Sequence, residues 1–208
     1  MVIGQIEPAQ MAMHLLSRGL QMSSKDPDVM ASAPSYDFVR IISPRVFADE
    51  LGFSLEIQSD RTLWRLQPGL RFLEERLVHS VRGAIRGLYY QLGRPQANLV
   101  RVVDGSIFFV SVDMRRSSPE FGVATCLDLN ETGREAVWVP GGYACGFMSI
   151  SQGSKVLIKA SERDDAAYAR TLLWNDPALG IEWPIIEGIR VSGRALLGKP
   201  LSETEYFE

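Results

Sequence analysis

From Tyr36 onward, short apolar runs broken by turn residues dominate the chain. Phe38-Val39-Arg40-Ile41-Ile42 and Phe53-Ser54-Leu55-Glu56-Ile57 have the length and the β-branched and aromatic content of strands. The runs at 99–103 and 107–112 flank Asp104-Gly105, a dipeptide favoured in tight primed turns, and so predict a β-hairpin. Further strands are expected at 121–129, 136–139, 144–150 and 155–160. Many short strands punctuated by Gly and Pro, with few helical periods, predict a sandwich or barrel. Helix is expected only near the N-terminus, around 45–50, and in short turns near the C-terminus.

Residues 1–35 have a different character. Met11-Ala12-Met13-His14-Leu15-Leu16 suits a short amphipathic helix, and the stretch from Ser23 to Pro34, containing Lys25-Asp26-Pro27-Asp28, suits a linker. The expected organisation is a partly flexible extension at 1–35 followed by one β domain at 36–208. The extension reads either as loosely packed chain or as a helix docking on a partner subunit.

Composition narrows the function. The chain has 208 residues, 46% of them apolar and 23% charged, as in a soluble globular protein with a real core. A net charge of −3, with no Lys/Arg cluster interleaved with aromatics, argues against nucleic acid. No apolar run approaches the roughly 20 residues of a membrane span, and no signal peptide is evident, so a cytoplasmic protein with no membrane partner is expected. Cys126 and Cys145 are too few for a disulfide framework and fit a reducing compartment. With only His14 and His79, a His-rich metal site is excluded, and a structural zinc site nearly so. Gly-x-Gly-x-x-Gly, Gly-x-x-x-x-Gly-Lys-Ser/Thr and Gly-x-Ser-x-Gly are all missing, which disfavours Rossmann, P-loop and hydrolase-elbow chemistry.

Several segments carry a family likeness through their joint order. They are Pro44-Arg45-Val46-Phe47-Ala48-Asp49-Glu50-Leu51-Gly52, then Arg86-Gly87-Leu88-Tyr89-Tyr90-Gln91, then Val110-Ser111-Val112-Asp113-Met114-Arg115 with Ser118-Pro119-Glu120-Phe121-Gly122. Val139-Pro140-Gly141-Gly142-Tyr143-Ala144-Cys145-Gly146-Phe147, Trp174-Asn175-Asp176-Pro177 and Ile181-Glu182-Trp183-Pro184 follow. Over about 36–200 the chain thus resembles the dTDP-4-dehydrorhamnose 3,5-epimerase family. The resemblance implies an all-β fold, an RmlC-like cupin, in which a double-stranded β-helix (jelly roll) carries short peripheral helices. It also implies a homodimer with a metal-free active site inside the barrel.

Against that family, several site positions differ. The family's proton-abstracting histidine corresponds to Tyr89, its acid tyrosine to Ile158 and its orienting aspartate to Ala195. Leu51, Asn98, Phe109, Cys145 and Ala169 also stand where the family is charged or polar, and Glu74-Glu75-Arg76 replaces its Gln-Asp-Asn. Arg86, which resembles the arginine that contacts the pyrophosphate, is kept with Glu56 and Gln91, and Arg194 replaces a lysine.

A free phenol, with a pKa of about 10, is ionised in about 0.1% of molecules at pH 7, so tyrosine is a weak drop-in base. The expectation is therefore a divergent epimerase-fold protein acting on a small molecule in deoxysugar or natural-product biosynthesis. Its chemistry would be cofactor-free isomerisation or cyclisation, with ordinary 3,5-epimerase activity lost or strongly reduced. Two alternatives stay open. One is a dTDP-4-keto-6-deoxyhexose 3,5- or 3-epimerase using Tyr89 or Cys145 as substitutes, and the other is a catalytically dead binding or regulatory homologue. The candidate catalytic residues are Tyr89 and Cys145. The candidate substrate-binding residues are Arg86, Gln91, Glu56, Glu74, Arg76, Phe109, Tyr143, Ile158 and Arg194.

Overall fold

The computed structural model describes residues 37–208. The helix expected at 11–16 and the linker at 23–34 lie outside the described residues. The strands are β1 (Arg40–Ile42), β2 (Arg45–Asp49), β3 (Gly52–Glu56), β4 (Glu74–Val81), β5 (Ala84–Gln91), β6 (Asn98–Asp104) and β7 (Ser106–Asp113). After them come β8 (Ala124–Asn130), β9 (Ala136–Val139), β10 (Tyr143–Ser149), β11 (Gly153–Ala160), β12 (Ala169–Thr171) and β13 (Arg190–Val191). One helix, α1 (Asp60–Leu66), lies between β3 and β4, and 3-10 turns occupy Pro177–Leu179 and Ala195–Leu197.

Two antiparallel sheets face each other as a jelly roll. One has the order β1-β9-β6-β11-β4. The other has the order β12-β5-β10-β7-β8, with β13 added parallel to β5. Between them Val100, Val102, Phe109, Leu127, Val137, Phe147 and Val156 form the interior. The outer face of the second sheet is apolar as well. Leu88, Tyr90, Val110, Val112, Met114 and Ala144 lie beneath Leu172, Leu179, Trp183 and Phe207 from the C-terminal third. The outer face of the first sheet is partly covered where Leu99, Ala136 and Trp138 pack against Leu66 and Leu70. Strands buried on both faces lose the strict apolar–polar alternation, which explains the near-continuous apolar runs at β9 and β10. Among the described residues no helix is long and apolar enough to cross a membrane.

Two local expectations are corrected. The strands either side of Asp104-Gly105 form, but they do not pair. β6 bonds to β9 and β11, while β7 bonds to β10 and β8. The turn carries the chain from one sheet to the other, with Gly105 at φ +80° pressed against the Ser151–Gly153 turn, where a side chain would collide.

The helix expected around 45–50 is instead the β2–β3 hairpin, closed by the Asp49 carboxylate accepting from the Leu51 N–H at 2.8 Å and by Gly52 at φ +140°. The helix forms later, at α1, where the Ser59 hydroxyl accepts from the Thr62 N–H at 3.3 Å and caps the first turn. β4 and β5 escape the hydrophobic pattern. Polar side chains occupy both faces of β4, and β5 breaks its own alternation.

That break positions the site. Tyr89 faces Cys145 across the ladder, whereas Arg86 faces Phe147, so β5 carries one residue more than β10 over this interval. The result is a β-bulge, which re-aims side chains. Cross-strand partners share a face, and Cys145 and Phe147 both belong to the interior. Arg86 and Tyr89 therefore both point inward although three residues apart, while Leu88 and Tyr90 join the outer cluster.

Gly87 sits at φ +128° against Gly146. A Cβ there would lie 2.5 Å from the Gly146 Cα and 2.9 Å from the Cys145 carbonyl oxygen. Gly87→Ala combines backbone strain with overpacking and is expected to cost about 2–4 kcal/mol, lowering the thermal midpoint by roughly 5–15 °C. Circular dichroism melting checks this, and an unchanged midpoint would mean that the bulge does not depend on Gly87.

Candidate functional site

Tyr89 is half-buried on the interior face of β5. Its hydroxyl lies 2.5 Å from the Ser192 Oγ, and the Arg194 guanidinium stacks 4.5 Å from its ring centroid. Both partners come from the segment following β13, which runs along β5 and is held there by the Ser192 N–H donating to the Ile85 carbonyl at 3.0 Å. The ring is thus fixed at its face and at its tip.

Arg86 enters the same interior from the other side of the bulge. Its Nε donates to the Ser80 Oγ at 2.9 Å, and its Nη2 donates to the His79 carbonyl at 3.3 Å. Ser80 is itself buried at the interior end of β4. Among the described residues no carboxylate forms an ion pair with Arg86. A half-buried guanidinium held by neutral groups keeps its attraction for an incoming anion. His79 and Tyr90 lie outside this interior. His79 is exposed opposite Lys155, and Tyr90 bonds to Thr204 at 2.7 Å.

The rim between β4 and the 161–165 loop is charged. Arg76 donates to both oxygens of Glu74 at 2.8 Å. The Asp164 carboxylate lies 3.6 Å from Arg76 and 3.3 Å from Arg194, and the Asp164 N–H donates to Glu74 at 3.2 Å. The hydrogen bond from Arg76 holds the Glu74 carboxyl below the usual carboxylate range, and the same bond pushes Arg76 up. Leu73, Glu74, Arg163 and Asp164 line a recess of about 260 Å³ here. Asp164 and Ser192 join the site through folding alone. Ser192 is 103 residues from Tyr89 in sequence, and no local pattern marks either residue.

The remaining candidates take other places. Gln91 is buried, and both ends of its amide are used by loops. Its Nε2 donates to the Arg94 and Arg163 carbonyls, and its Oε1 accepts from the Asp165 N–H at 2.8 Å. Tyr143 accepts from Arg115 at 2.8 Å and donates to the Asp37 carbonyl at 3.2 Å, and burial pushes its phenol far above the usual range. Burial pushes Asp113 up, but hydrogen bonds from the Arg115 side chain and backbone outweigh it and hold the carboxyl low.

Phe109 is almost wholly buried in the interior cluster, against which Cys145 and Ile158 pack, so these three form an apolar floor. Burial pushes the Cys145 thiol up to about 12. Glu56 lies on the separate β2–β3 hairpin, opposite Arg45. Among the described residues no group of three or more His, Cys, Asp or Glu is placed to hold a metal ion.

This geometry places a free cation and a hydroxyl pair over an apolar floor, which suits an anionic ligand whose reacting end exchanges protons. Known proteins give it a context. The family model for dTDP-4-dehydrorhamnose 3,5-epimerase matches residues 36–203. A dTDP-4-dehydrorhamnose 3,5-epimerase of Neisseria gonorrhoeae is 36% identical over 167 residues, covering 80% of this chain and 51% of that longer protein. One of Methanothermobacter thermautotrophicus is 34% identical over 175 residues, covering 83% of this chain and 95% of the relative. The crystal structure of a dTDP-6-deoxy-D-glucose-3,5-epimerase from Legionella pneumophila, in complex with dTDP-4-keto-L-rhamnose, superposes with a TM-score of 0.75 at 30% identity, covering 81% of this chain and 95% of that one.

These matches overturn the expectation of a divergent barrel with epimerase activity lost in favour of other isomerisation or cyclisation. Relatives this similar over most of the chain carry the 3,5-epimerase name, and they support ordinary epimerase function instead. The physical reason lies in the site. Position 89 carries a hydroxyl with a hydrogen-bonded partner, Ser192. From residue 36 to residue 203, this chain belongs to the dTDP-4-dehydrorhamnose 3,5-epimerase family.

Proposed function

We propose that the protein is a dTDP-4-keto-6-deoxyhexose 3,5- or 3-epimerase in which Tyr89 substitutes for the family histidine in proton transfer. The observation that carries this reading is the Tyr89–Ser192 hydroxyl pair, set on the same inward face as the unpaired cation Arg86. Arg86 receives the diphosphate, with Arg76 and Arg194 at the rim beside their carboxylate partners Glu74 and Asp164. Phe109 and Ile158 give the sugar an apolar floor. Gln91 and Tyr143 hold the surrounding loops.

The chemistry conserves atoms. A C–H bond beside the C4 ketone breaks, its electron pair moves into an enolate, and a proton returns to the opposite face of the same carbon. Tyr89 gives the proton that returns, and the proton removed passes to a solvent water on the other face. Cys145 is the poorer candidate, because a thiol near 12 is ionised in only about one molecule in 10⁴ at pH 8. A cytoplasmic homodimer belongs to the same reading. The exposed Phe47, Leu51 and Phe53 of the β2–β3 hairpin supply apolar surface for a second subunit.

Deuterium uptake from D₂O into dTDP-4-keto-6-deoxyglucose, followed by NMR, tests the activity. The wild type is expected to exchange at C3, at C5, or at both. Tyr89→Phe is expected to lower the rate by about 10²–10⁴, while Cys145→Ser stays within about threefold. A wild type that exchanges no deuterium would overturn the proposal, and full exchange in Tyr89→Phe would remove Tyr89 from the chemistry.

Binding and labelling give two further checks. Arg86→Ala is expected to weaken binding of thymidine diphosphate about 10–100-fold by calorimetry, the loss of a charge-assisted contact. Iodoacetamide should label Cys145 at pH 8 about 10³ times more slowly in the folded protein than in urea, with peptide mapping separating it from Cys126. Equal rates would show that the thiol is not held protonated by burial.

A further inference from the structure

Ser192 stands out among the groups that sequence motifs leave unassigned, because its hydroxyl is already engaged on its other side. The Ala195 N–H, at the start of a 3-10 turn, donates to the Ser192 Oγ at 3.4 Å. A serine hydroxyl has one proton to give and two lone pairs to receive. With one lone pair taken by the amide, the Ser192 O–H is free to turn to the Tyr89 oxygen 2.5 Å away. The Tyr89 O–H proton is then free to point into the interior. The backbone bond from the Ser192 N–H to the Ile85 carbonyl fixes Ser192 relative to β5, so the two hydroxyls keep their spacing.

We propose that Ser192 is a positioning residue for Tyr89: its hydroxyl donates to the phenol oxygen, orients the Tyr89 proton toward the substrate carbon, and holds the oxygen once that proton has left. This rests on the epimerase reading above. In the step concerned the Tyr89 O–H bond breaks and a C–H bond forms at the enolate carbon. The Ser192 hydroxyl donates a hydrogen bond to the resulting phenolate until water restores its proton. In the reverse direction the same hydrogen bond meets the oxygen as it takes the proton back. A hydrogen bond to a group that becomes charged only during reaction acts on the chemical step rather than on binding, so its loss should appear in kcat and leave KM largely alone.

Steady-state epimerisation of dTDP-4-keto-6-deoxyglucose is measured for the wild type, Ser192→Ala, Ser192→Thr and Tyr89→Phe, at a temperature where all four keep the wild-type circular dichroism. Ser192→Ala is expected to lower kcat about 10–100-fold with KM within twofold. Ser192→Thr, which restores the hydroxyl at a partly exposed position, should recover kcat to within about threefold of wild type. The assignment is overturned if Ser192→Ala keeps wild-type kcat, or if Ser192→Thr is as slow as Ser192→Ala. An inactive wild type would sink the epimerase reading itself. An active wild type with a slow Tyr89→Phe and an unaffected Ser192→Ala would sink only the role given to Ser192.

Discussion

The close approach of Gly87 to Gly146 is the constraint on which the interior depends. With no side chain at either position, β5 and β10 come near enough for one extra residue of β5 to be absorbed as a bulge, between the pairs Phe147–Arg86 and Cys145–Tyr89. Strict alternation would place Arg86 on the same face as Leu88 and Tyr90, under the C-terminal cover. The bulge instead turns Arg86 into the barrel beside Tyr89. The two residues that the proposed reaction needs most, a cation for the diphosphate and a hydroxyl for the proton, share a face because two glycines allow it.

Charge around that interior is arranged unevenly. At the rim Arg76 holds Glu74, and both Arg76 and Arg194 approach Asp164. Deeper in, Arg86 meets, among the described residues, a serine hydroxyl and a carbonyl. A ligand anion therefore gains more at Arg86, where it need not displace a resident carboxylate, than at the rim. The apolar floor of Phe109, Cys145 and Ile158 lowers the local polarity beneath the reacting group, which strengthens each remaining electrostatic contact.

How far the sequence disclosed this varies with how local each signal is. β9 was legible to the residue, because Ala136–Val139 is a short apolar run ended by Pro140. The segments 99–103 and 107–112 were legible as strands but not as partners: turn chemistry at Asp104-Gly105 is local, whereas the choice between a hairpin and a sheet crossing is made by distant strands. The 45–50 segment, expected as helix, pairs instead as a hairpin, where Gly52 at φ +140° takes the turn conformation that suits it. At the site, Arg86 and Tyr89 could be named from the Arg-Gly-Leu-Tyr-Tyr-Gln run. Their common direction could not, since alternation does not announce a bulge. Ser192 and Asp164 carry no motif and become visible only when the chain after β11 returns to the barrel. The expectation of lost activity rests on side-chain identities alone, which carry no sign that folding brings Ser192 to Tyr89.

The central claim is that the bulged stretch of β5 presents Arg86 and Tyr89 to one ligand. A crystal structure of the protein with thymidine diphosphate and the keto sugar, or with its unreactive 4-deoxy analogue, tests it most directly. The account predicts a diphosphate oxygen within hydrogen-bonding distance of the Arg86 guanidinium, and the Tyr89 hydroxyl directed at C3 or C5 of the sugar with the Ser192 contact intact. A nucleotide bound with Arg86 still held only by Ser80 and His79, or a sugar placed away from Tyr89, would contradict it.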